Sequence, residues 1–211
     1  MSEDQKRWDE KYRARPFDAG QAPAPFLKQH LRLLPRGRAL DLAAGEGRNA
    51  VFLAEHGFQV EAVDISRVAL DRARKLAETR GVKINIARAD LKEYPIPQER
   101  FDLIIDFDYL DRRLIPGIRR GLKKGGRVVF ETYTTEQKST AGGGPENPEY
   151  LLKPNELLRL FRGFRILFYR EGIFPPGRTG KALASLMAEK PLTSPLPRKR
   201  GRGRGEGEFS E

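Results

Sequence analysis

Between residues 38 and 133, short apolar runs alternate with amphipathic stretches, and this alternation limits the possible folds more than any other feature. The runs that predict buried strands lie at residues 38–44, 58–64, 82–90, 101–107 and 127–133. The stretches that predict helices lie at residues 45–57, 67–80 and 113–123, the last closed by Gly125 and Gly126. This order predicts an α/β domain on a mostly parallel sheet.

The flanking segments extend this pattern. Helices are predicted at residues 3–15, 25–34 and 155–161, and a strand at residues 164–172. Residues 181–190 are rich in Ala and Leu, which favour helix, but we interpret them as a final strand because strand 164–172 needs a partner. We expect three parts, namely a helical cap over residues 1–35, the α/β domain over residues 36–190 and a disordered basic tail over residues 191–211.

Composition excludes several classes of site. The chain has no cysteine and only two histidines, so disulfides, thiolate chemistry and histidine-rich metal sites are excluded, and we predict no metal. No apolar run reaches the ~20 residues of a membrane helix, and the charged N-terminus does not resemble a signal peptide. We therefore expect a cytoplasmic protein with no membrane partner.

The formal net charge of +11 raises the question of a nucleic-acid partner. Cations cluster in the tail, at Arg198, Lys199, Arg200, Arg202 and Arg204. A second cluster comprises Arg112, Arg113, Arg119, Arg120, Lys123, Lys124 and Arg127. A solubilising tail and a solvated helix face are the favoured interpretation, and binding of RNA through the basic surface remains the alternative.

The first predicted strand leads into a glycine-rich turn. Ligands of open α/β sheets bind at the carboxyl ends of the strands. Gly45 and Gly47 allow a tight turn, and the next helix offers free N–H groups to an anion. Asp41 offers a carboxylate to a cation. The methionine part of S-adenosylmethionine carries both an ammonium and a carboxylate.

Carboxylates also end the next two predicted strands. Asp64 can accept hydrogen bonds from a ribose diol, although it can equally serve as a cap before Ser66. Asp90 beside Leu91 suits the amine and the face of adenine. Together the three carboxylates predict one crevice for a nucleoside cofactor.

These motifs resemble those of the class I S-adenosylmethionine-dependent methyltransferases. LDLAAGEGRNAVFLAEHG is similar to their first motif, VEAVDIS to their acidic second-strand motif and ARADL to their adenine motif. The opening WDEKYR and the GRN that includes the second glycine resemble the small tellurite-resistance and thiopurine-type branch. The resemblance implies a Rossmann-like, doubly wound, seven-stranded sheet with an antiparallel last strand and helices on both faces. It makes residues 36–190 the methyltransferase domain.

The resemblance also implies a cofactor-binding set: Trp8, Tyr12, Arg13, Asp41, Ala43, Gly45, Glu46, Gly47, Asn49, Asp64, Ile65, Ser66, Asp90, Leu91 and Asp106. Trp8, Tyr12 and Arg13 would fold over the cofactor, although an amphipathic helix that simply buries Trp8 and Tyr12 fits equally well. Ala43 and Ala44 stand where that family often has Gly and Cys.

Methyl transfer needs a base only if the acceptor must lose a proton. The candidates are Asp106, Asp108, Tyr109, Asp111, Glu131 and Tyr133, each of which could instead be a cap or a core group. The Asn/Asp-Pro-Pro-Tyr/Phe run of amino-group methylases is absent, which disfavours an amine acceptor of that kind. No appended RNA-binding domain is apparent in the sequence, so we rank a small-molecule acceptor first. The glycine-rich loop at residues 134–153 is a candidate lid.

Two rival functions remain. Residues 45–50 satisfy the dinucleotide pattern G-x-G-x-x-G/A, which would suit an NAD(P)-dependent oxidoreductase. Against it, Asp41 and Glu46 would both repel a pyrophosphate, and no Tyr-x-x-x-Lys pair exists. The second rival is an RNA-directed methyltransferase or a non-catalytic RNA-binding protein.

Overall fold

The computed structural model describes residues 2–18, 21–139, 143–177 and 179–192. Its strands are β1 Arg38–Leu42, β2 Gln59–Asp64, β3 Asn85–Arg88, β4 Phe101–Phe107, β5 Leu122–Tyr133, β6 Arg165–Phe174 and β7 Lys181–Glu189. Its α-helices are α1 Glu3–Arg13, α2 Pro25–Gln29, α3 Arg48–Glu55, α4 Arg67–Thr79, α5 Ile115–Gly121 and α6 Glu156–Leu160. Short 3₁₀ turns lie at Leu31–Leu33, Arg112–Leu114, Thr135–Ser139 and Pro148–Tyr150.

Within the described residues, the strands form one seven-stranded sheet in the order β3-β2-β1-β4-β5-β7-β6. The pairings from β3 to β5 are parallel, and β7 runs antiparallel to both β5 and β6. This confirms the predicted fold, including the antiparallel last strand. Because β7 has a partner on each side, its residues from Ala182 to Ala188 are all buried, which outweighs the helical propensity of Ala and Leu.

Helices cover both faces of the sheet. On one face, α2 and α3 pack residues such as Phe26 and Leu53 against β1, β2 and β4. On the other, α5 and α6 contribute Ile118 and Leu157 to a core that includes Phe130 of β5. Of the two N-terminal helices, α2 belongs to the core of the first face. The other, α1, lies over the strand ends.

Three predicted boundaries were wrong. The helix predicted at residues 113–123 ends at Gly121, and Gly125 and Gly126 lie inside β5, where the pairing with β4 has an irregularity. A β-carbon on Gly126 would lie 2.9–3.1 Å from three backbone oxygens, so the position requires glycine for close backbone approach rather than for a helix end. Strand 82–90 is only β3, so Asp90 follows the strand by two residues. Helix 25–34 is α2 plus a 3₁₀ turn, both too short to show a period.

The basic tail predicted at residues 191–211 lies outside the described residues from residue 193 onward, as do residues 140–142 of the predicted lid. In the part of the chain that the structure describes, no helix is long and apolar enough to cross a membrane.

Candidate active site

Three buried carboxylates lie near the carboxyl ends of the central strands. Asp41 stands one residue before the end of β1, Asp64 ends β2, and Asp106 stands one residue before the end of β4. They are 2%, 6% and 1% exposed, respectively. Parallel pairing of β1 with β2 and β4 brings these ends to one edge of the sheet. A carboxylate buried at such an edge is costly unless a partner or a ligand meets it.

Asp41 and Asp106 each retain an unpartnered oxygen. Among the described residues, neither Oδ2 of Asp41 nor Oδ1 of Asp106 has a hydrogen-bond partner. Burial raises the pKa of Asp41 to about 8, a rise limited by the positive charge of Arg48. Burial, and then the charge of Asp41, raises the pKa of Asp106 well above its usual range. The pair therefore forms a site that favours a cation or a proton.

Asp64 organises the turn that follows β1. Its Oδ2 accepts a hydrogen bond from the backbone N–H of Gly45 at 2.8 Å, and its Oδ1 accepts one from the N–H of Ser66 at 2.8 Å. Burial raises its pKa, and these hydrogen bonds oppose the rise. Asp64 can therefore act as a structural cap and still bind a ribose, since each carboxylate oxygen keeps a second lone pair for a ligand hydroxyl.

The turn itself has a left-handed backbone. Ala43, Gly45 and Gly47 have φ of 53°, 55° and 80°. A β-carbon on Gly47 would lie 2.7 Å from Cβ of Ala73, so Gly47 allows α3 to approach α4. Ala43 holds this conformation with a side chain, at a cost of roughly 1–2 kcal/mol.

Helix α1 lies across this edge of the sheet. Asp9, which is buried, accepts hydrogen bonds from Oγ of Ser66 at 2.6 Å and from the N–H of Val68. Asp4 forms an ion pair with Lys92, beyond β3. The α1 helix therefore contacts the segments that follow both β2 and β3. Sequence analysis missed Asp9; the one available signal was an acidic residue within the aromatic stretch of α1.

The aromatic residues of α1 are partly buried. The Tyr12 hydroxyl would lie 2.7 Å from a β-carbon on Gly45, and burial followed by the charge of Asp64 raises the pKa of Tyr12. Trp8 is half-buried with its ring centroid 6.0 Å from that of Tyr12. Arg13 is exposed. The structure thus places Tyr12 over the glycine-rich turn and leaves Arg13 at the surface.

Several other residues of the predicted cofactor set already have protein partners. Glu46 forms an ion pair with Arg72 of α4 at 2.7 Å. Oδ1 of Asn49 accepts a hydrogen bond from the N–H of Ala24 at 2.8 Å. Ser66 is the N-cap of α4 and is fully buried, whereas Ile65 is half-buried. Through these contacts Glu46, Asn49 and Ser66 have structural roles. Their roles in cofactor binding stay predictions.

The predicted adenine residues lie in the segment after β3. Asp90 is half-buried, and its Oδ1 accepts a hydrogen bond from the N–H of Lys92 at 2.9 Å. Leu91 is buried in the core shared with α5. The charge of Asp90 contributes to the raised pKa of Tyr109, after burial and the charges of Asp111 and Asp106. Asp90 thus lies within electrostatic range of the residues at and after the end of β4.

The structure divides the candidate bases by their contacts. Asp111 caps the 3₁₀ turn at Arg112–Leu114 and pairs with Arg113 at 2.6 Å. Glu131 is buried, accepts a hydrogen bond from Ser185 and pairs with Arg170. Both therefore serve as structural groups in this state. The remaining candidates are Asp106, Asp108, Tyr109 and Tyr133, which lie at or just beyond the carboxyl ends of β4 and β5.

The described part of the loop at residues 134–153 is anchored at its second half. Arg112 donates hydrogen bonds to the carbonyl oxygens of Glu149 and Leu151, and pairs with both carboxylate oxygens of Glu156. Leu152 donates to the carbonyl oxygen of Tyr133 at 2.9 Å. Whether the loop acts as a lid stays a prediction.

Most of the internal cationic cluster has partners. Lys123 pairs with Asp102 and Arg127 with Glu189, while Arg119 donates to the carbonyl oxygens of Leu160 and Arg162. A surface whose cations are engaged in this way has less positive charge available to phosphates than its composition indicates.

The comparisons with known proteins cover the segment that carries these carboxylates. A family model described as methyltransferase domain matches residues 39–126, a segment that contains Asp41, Asp64, Asp90 and Asp106. Sarcosine/dimethylglycine N-methyltransferase of Aphanothece halophytica is 29% identical over 123 residues, 54% of this chain and 44% of that protein. Ubiquinone biosynthesis O-methyltransferase of Coxiella burnetii is 29% identical over 119 residues, 54% and 50% of the two chains. The chain thus spans about half the length of these two relatives.

A third relative, probable thiol methyltransferase 2 of Arabidopsis thaliana, is 29% identical over 65% of both chains. Among solved structures, a S-adenosylmethionine-dependent methyltransferase from Mesorhizobium loti has a TM-score of 0.63 at 23% identity, covering 80% of this chain and 99% of that one. TehB from Haemophilus influenzae has a TM-score of 0.68 at 20% identity, covering 88% and 66%. Residues 39–126 are therefore similar to a methyltransferase domain, and the chain has the fold of the S-adenosylmethionine-dependent methyltransferases.

Proposed function

We propose that this protein transfers a methyl group from S-adenosylmethionine to a small-molecule acceptor. The observation that carries the proposal is the buried Oδ2 of Asp41, which has no hydrogen-bond partner in the described part of the chain and lies just before the left-handed turn that includes Gly45. The ammonium group of the cofactor's methionine part would give this oxygen a charged partner. The methyltransferase-domain match supports the proposal because it spans the whole turn.

The other parts of the cofactor fit neighbouring groups. Asp64 would accept hydrogen bonds from the ribose, using the lone pairs left free by its two backbone partners. Asp90, beyond β3, would accept the adenine amine. Tyr12 and Trp8 of α1 would cover the cofactor from outside the sheet edge. A dinucleotide fits less well, because Asp41 would stand near its pyrophosphate and Glu46 already pairs with the nearby cation Arg72.

The bound cofactor supplies a methyl group that its positively charged sulfur already activates. The protein's own contribution is then placement and exclusion of water, and orientation alone can supply on the order of 7–11 kcal/mol. Asp41 and Asp106 are buried, so solvent barely reaches the end of the site that faces them. Asp106, Asp108, Tyr109 and Tyr133 remain the groups that could accept a proton from the acceptor.

A small-molecule acceptor is supported by the relatives, whose names include an N-methyltransferase, an O-methyltransferase and a thiol methyltransferase. The same spread of names leaves the methylated atom open. Assignment to the small tellurite-resistance and thiopurine-type branch is likewise a proposal, supported by the WDEKYR segment of α1 rather than by any single structural neighbour.

Labelling of a cell extract tests this function. Full-length protein is incubated with fractionated extract and methyl-labelled S-adenosylmethionine, beside Asp64→Asn and the exposed-site control Glu78→Gln. We expect label in the small-molecule fraction, at least tenfold less with Asp64→Asn and unchanged with Glu78→Gln. Label confined to RNA or protein, or transfer that does not depend on Asp64, would contradict the proposal.

A further inference from the structure

Lys181, the first residue of β7, was not among the predicted site residues. Its Nζ lies 5.5 Å from the centroid of the Tyr133 ring, at the end of β5. Burial lowers the pKa of Lys181, but a hydrogen bond with Tyr133 and the negative charge of Asp108 outweigh this and raise it. Among the described residues, no carboxylate oxygen lies within ion-pair distance of Nζ of Lys181.

Arg48 links Lys181 to the proposed cofactor site. It begins α3 and pairs with Asp108 at 3.0 Å. Its charge lowers the pKa of Lys181 and also limits the raised pKa of Asp41. Asp108 holds this pair from a left-handed backbone, φ 61°, although it is not glycine. Such strain persists where surrounding structure enforces it, often at functional sites.

The charges around this point do not balance. Arg48 and Lys181 bring two positive charges, and Asp108 brings one negative charge. Of the other carboxylates at this edge, Asp41 is proposed to pair with the ammonium group of the cofactor, and burial favours the protonated form of Asp106. The nearby carboxylate of Glu131 does not correct this, because it is engaged by Ser185 and Arg170. One positive charge is therefore left over, beside a buried tyrosine and next to the end of β4 where the acceptor is expected to lie.

Resting on the proposed methyltransferase function, we propose that the acceptor carries an acid group, a carboxylate or a phosphate, which Lys181 and Arg48 bind. Charge-assisted hydrogen bonds to such a group are roughly twice as strong as neutral ones. An acid group held at Lys181 would direct the remainder of the acceptor toward Asp106 and the methyl donor. Lys181 thus determines which acceptors bind, without itself taking part in methyl transfer.

The test uses the full chain saturated with S-adenosylhomocysteine, with benzoate, phenyl phosphate and neutral benzamide as probes. Binding is followed through the amide NMR signals of Tyr133 and Ala182. We expect benzoate or phenyl phosphate to shift these signals saturably, and the one that binds identifies the acid. Benzamide should not. Lys181→Met should weaken binding of the anion about tenfold, or 1.4 kcal/mol. Lys181→Arg and the exposed control Lys83→Met should retain this binding.

Three results would overturn the inference: no saturable shift with either anion, equal binding of benzamide, or undiminished anion binding by Lys181→Met. A tenfold loss of S-adenosylhomocysteine affinity in Lys181→Met would also overturn the inference, because Lys181 would then bind the carboxylate of the cofactor. Failure of the wild type to bind S-adenosylhomocysteine would instead count against the proposed function. Cofactor binding without a preference for anions would remove this inference alone.

Discussion

The hydroxyl of Tyr12 lies so close to Gly45 that a β-carbon at residue 45 would stand 2.7 Å from it. This contact joins α1 to the glycine-rich turn, the two segments that would hold the cofactor from opposite sides. Gly45→Ala should therefore displace Tyr12 as well as strain a backbone with φ of 55°.

We expect Gly45→Ala to lower the free energy of unfolding by roughly 1–3 kcal/mol, from backbone strain and the forced displacement. Combined with Tyr12→Ala, the loss should be smaller than the sum of the two single losses, because the displaced ring is already absent. Urea unfolding of the two single variants and the double variant measures this coupling. Strict additivity would show that the two residues do not constrain each other.

The raised pKa of Asp41 makes stability depend on pH. Burial raises this pKa from 3.8 to about 8, so in that interval the folded protein keeps a proton that the unfolded chain has lost. The contribution of Asp41 to the free energy of unfolding is therefore fully present below about pH 4 and is lost as the pH rises to about 8. Asp106, also raised, acts in the same direction.

We therefore expect ligand-free protein to lose stability between about pH 5 and about pH 8, with up to ~1.4 kcal/mol per pH unit from each group. Asp41→Asn should flatten this slope, and the exposed control Glu78→Gln should leave it unchanged. Urea unfolding at several pH values measures it. Equal slopes for Asp41→Asn and wild type would refute the assignment to Asp41.

Ala43 occupies a conformation that glycine adopts freely. Its φ of 53° costs roughly 1–2 kcal/mol, and glycine in its place would not incur this strain. Part of that gain is offset because glycine increases the conformational entropy of the unfolded chain. Ala43→Gly should thus raise stability by about 0.5–1 kcal/mol, or ~1–4 °C in Tm. Ala44→Gly is the matched control, because Ala44 lacks a positive φ and should lose stability. Calorimetry that found both variants destabilised would exclude strain at Ala43.

Arg112 anchors the segment from residue 147 to residue 156 through Glu149, Leu151 and Glu156. Arg112→Met should speed hydrogen exchange across that segment and lower stability by about 1–3 kcal/mol, since four charge-assisted contacts are lost. Arg120→Met, an exposed arginine on α5, should change neither. If exchange in the segment were unaffected by Arg112→Met, the anchor would lie elsewhere.

The strand pattern of this chain predicts most of the fold because it reflects burial. β4 is apolar apart from Asp102 and Asp106, as expected of a strand covered on both faces, and β7 followed from the need of β6 for a partner. Helix ends were less predictable. Gly125 and Gly126 resemble a helix stop, yet close approach of the β4 and β5 backbones accounts for Gly126. Such a contact joins residues far apart in sequence.

Some residues of the candidate site were likewise proposed from the sequence, and others were not. Asp41 and Asp64 were proposed from the sequence because each lies within or at the end of an apolar run that leads into a turn. Asp9 and Lys181 were not, because their importance depends on partners that lie 57 residues away, in the case of Asp9 and Ser66, or on another strand. Sequence spacing records local order, and these contacts exist only in the folded chain.

The most direct test of the central claim is isothermal titration of the full chain with S-adenosylmethionine and, separately, with NADPH. The account predicts that S-adenosylmethionine alone binds, that Asp41→Asn weakens it by about 10–100-fold through loss of a charge-assisted contact, and that Asp64→Asn also weakens it. At 100 times its dissociation constant it should stabilise the fold by about 2.7 kcal/mol. Binding of NADPH in its place, or S-adenosylmethionine affinity indifferent to both substitutions, would contradict the account.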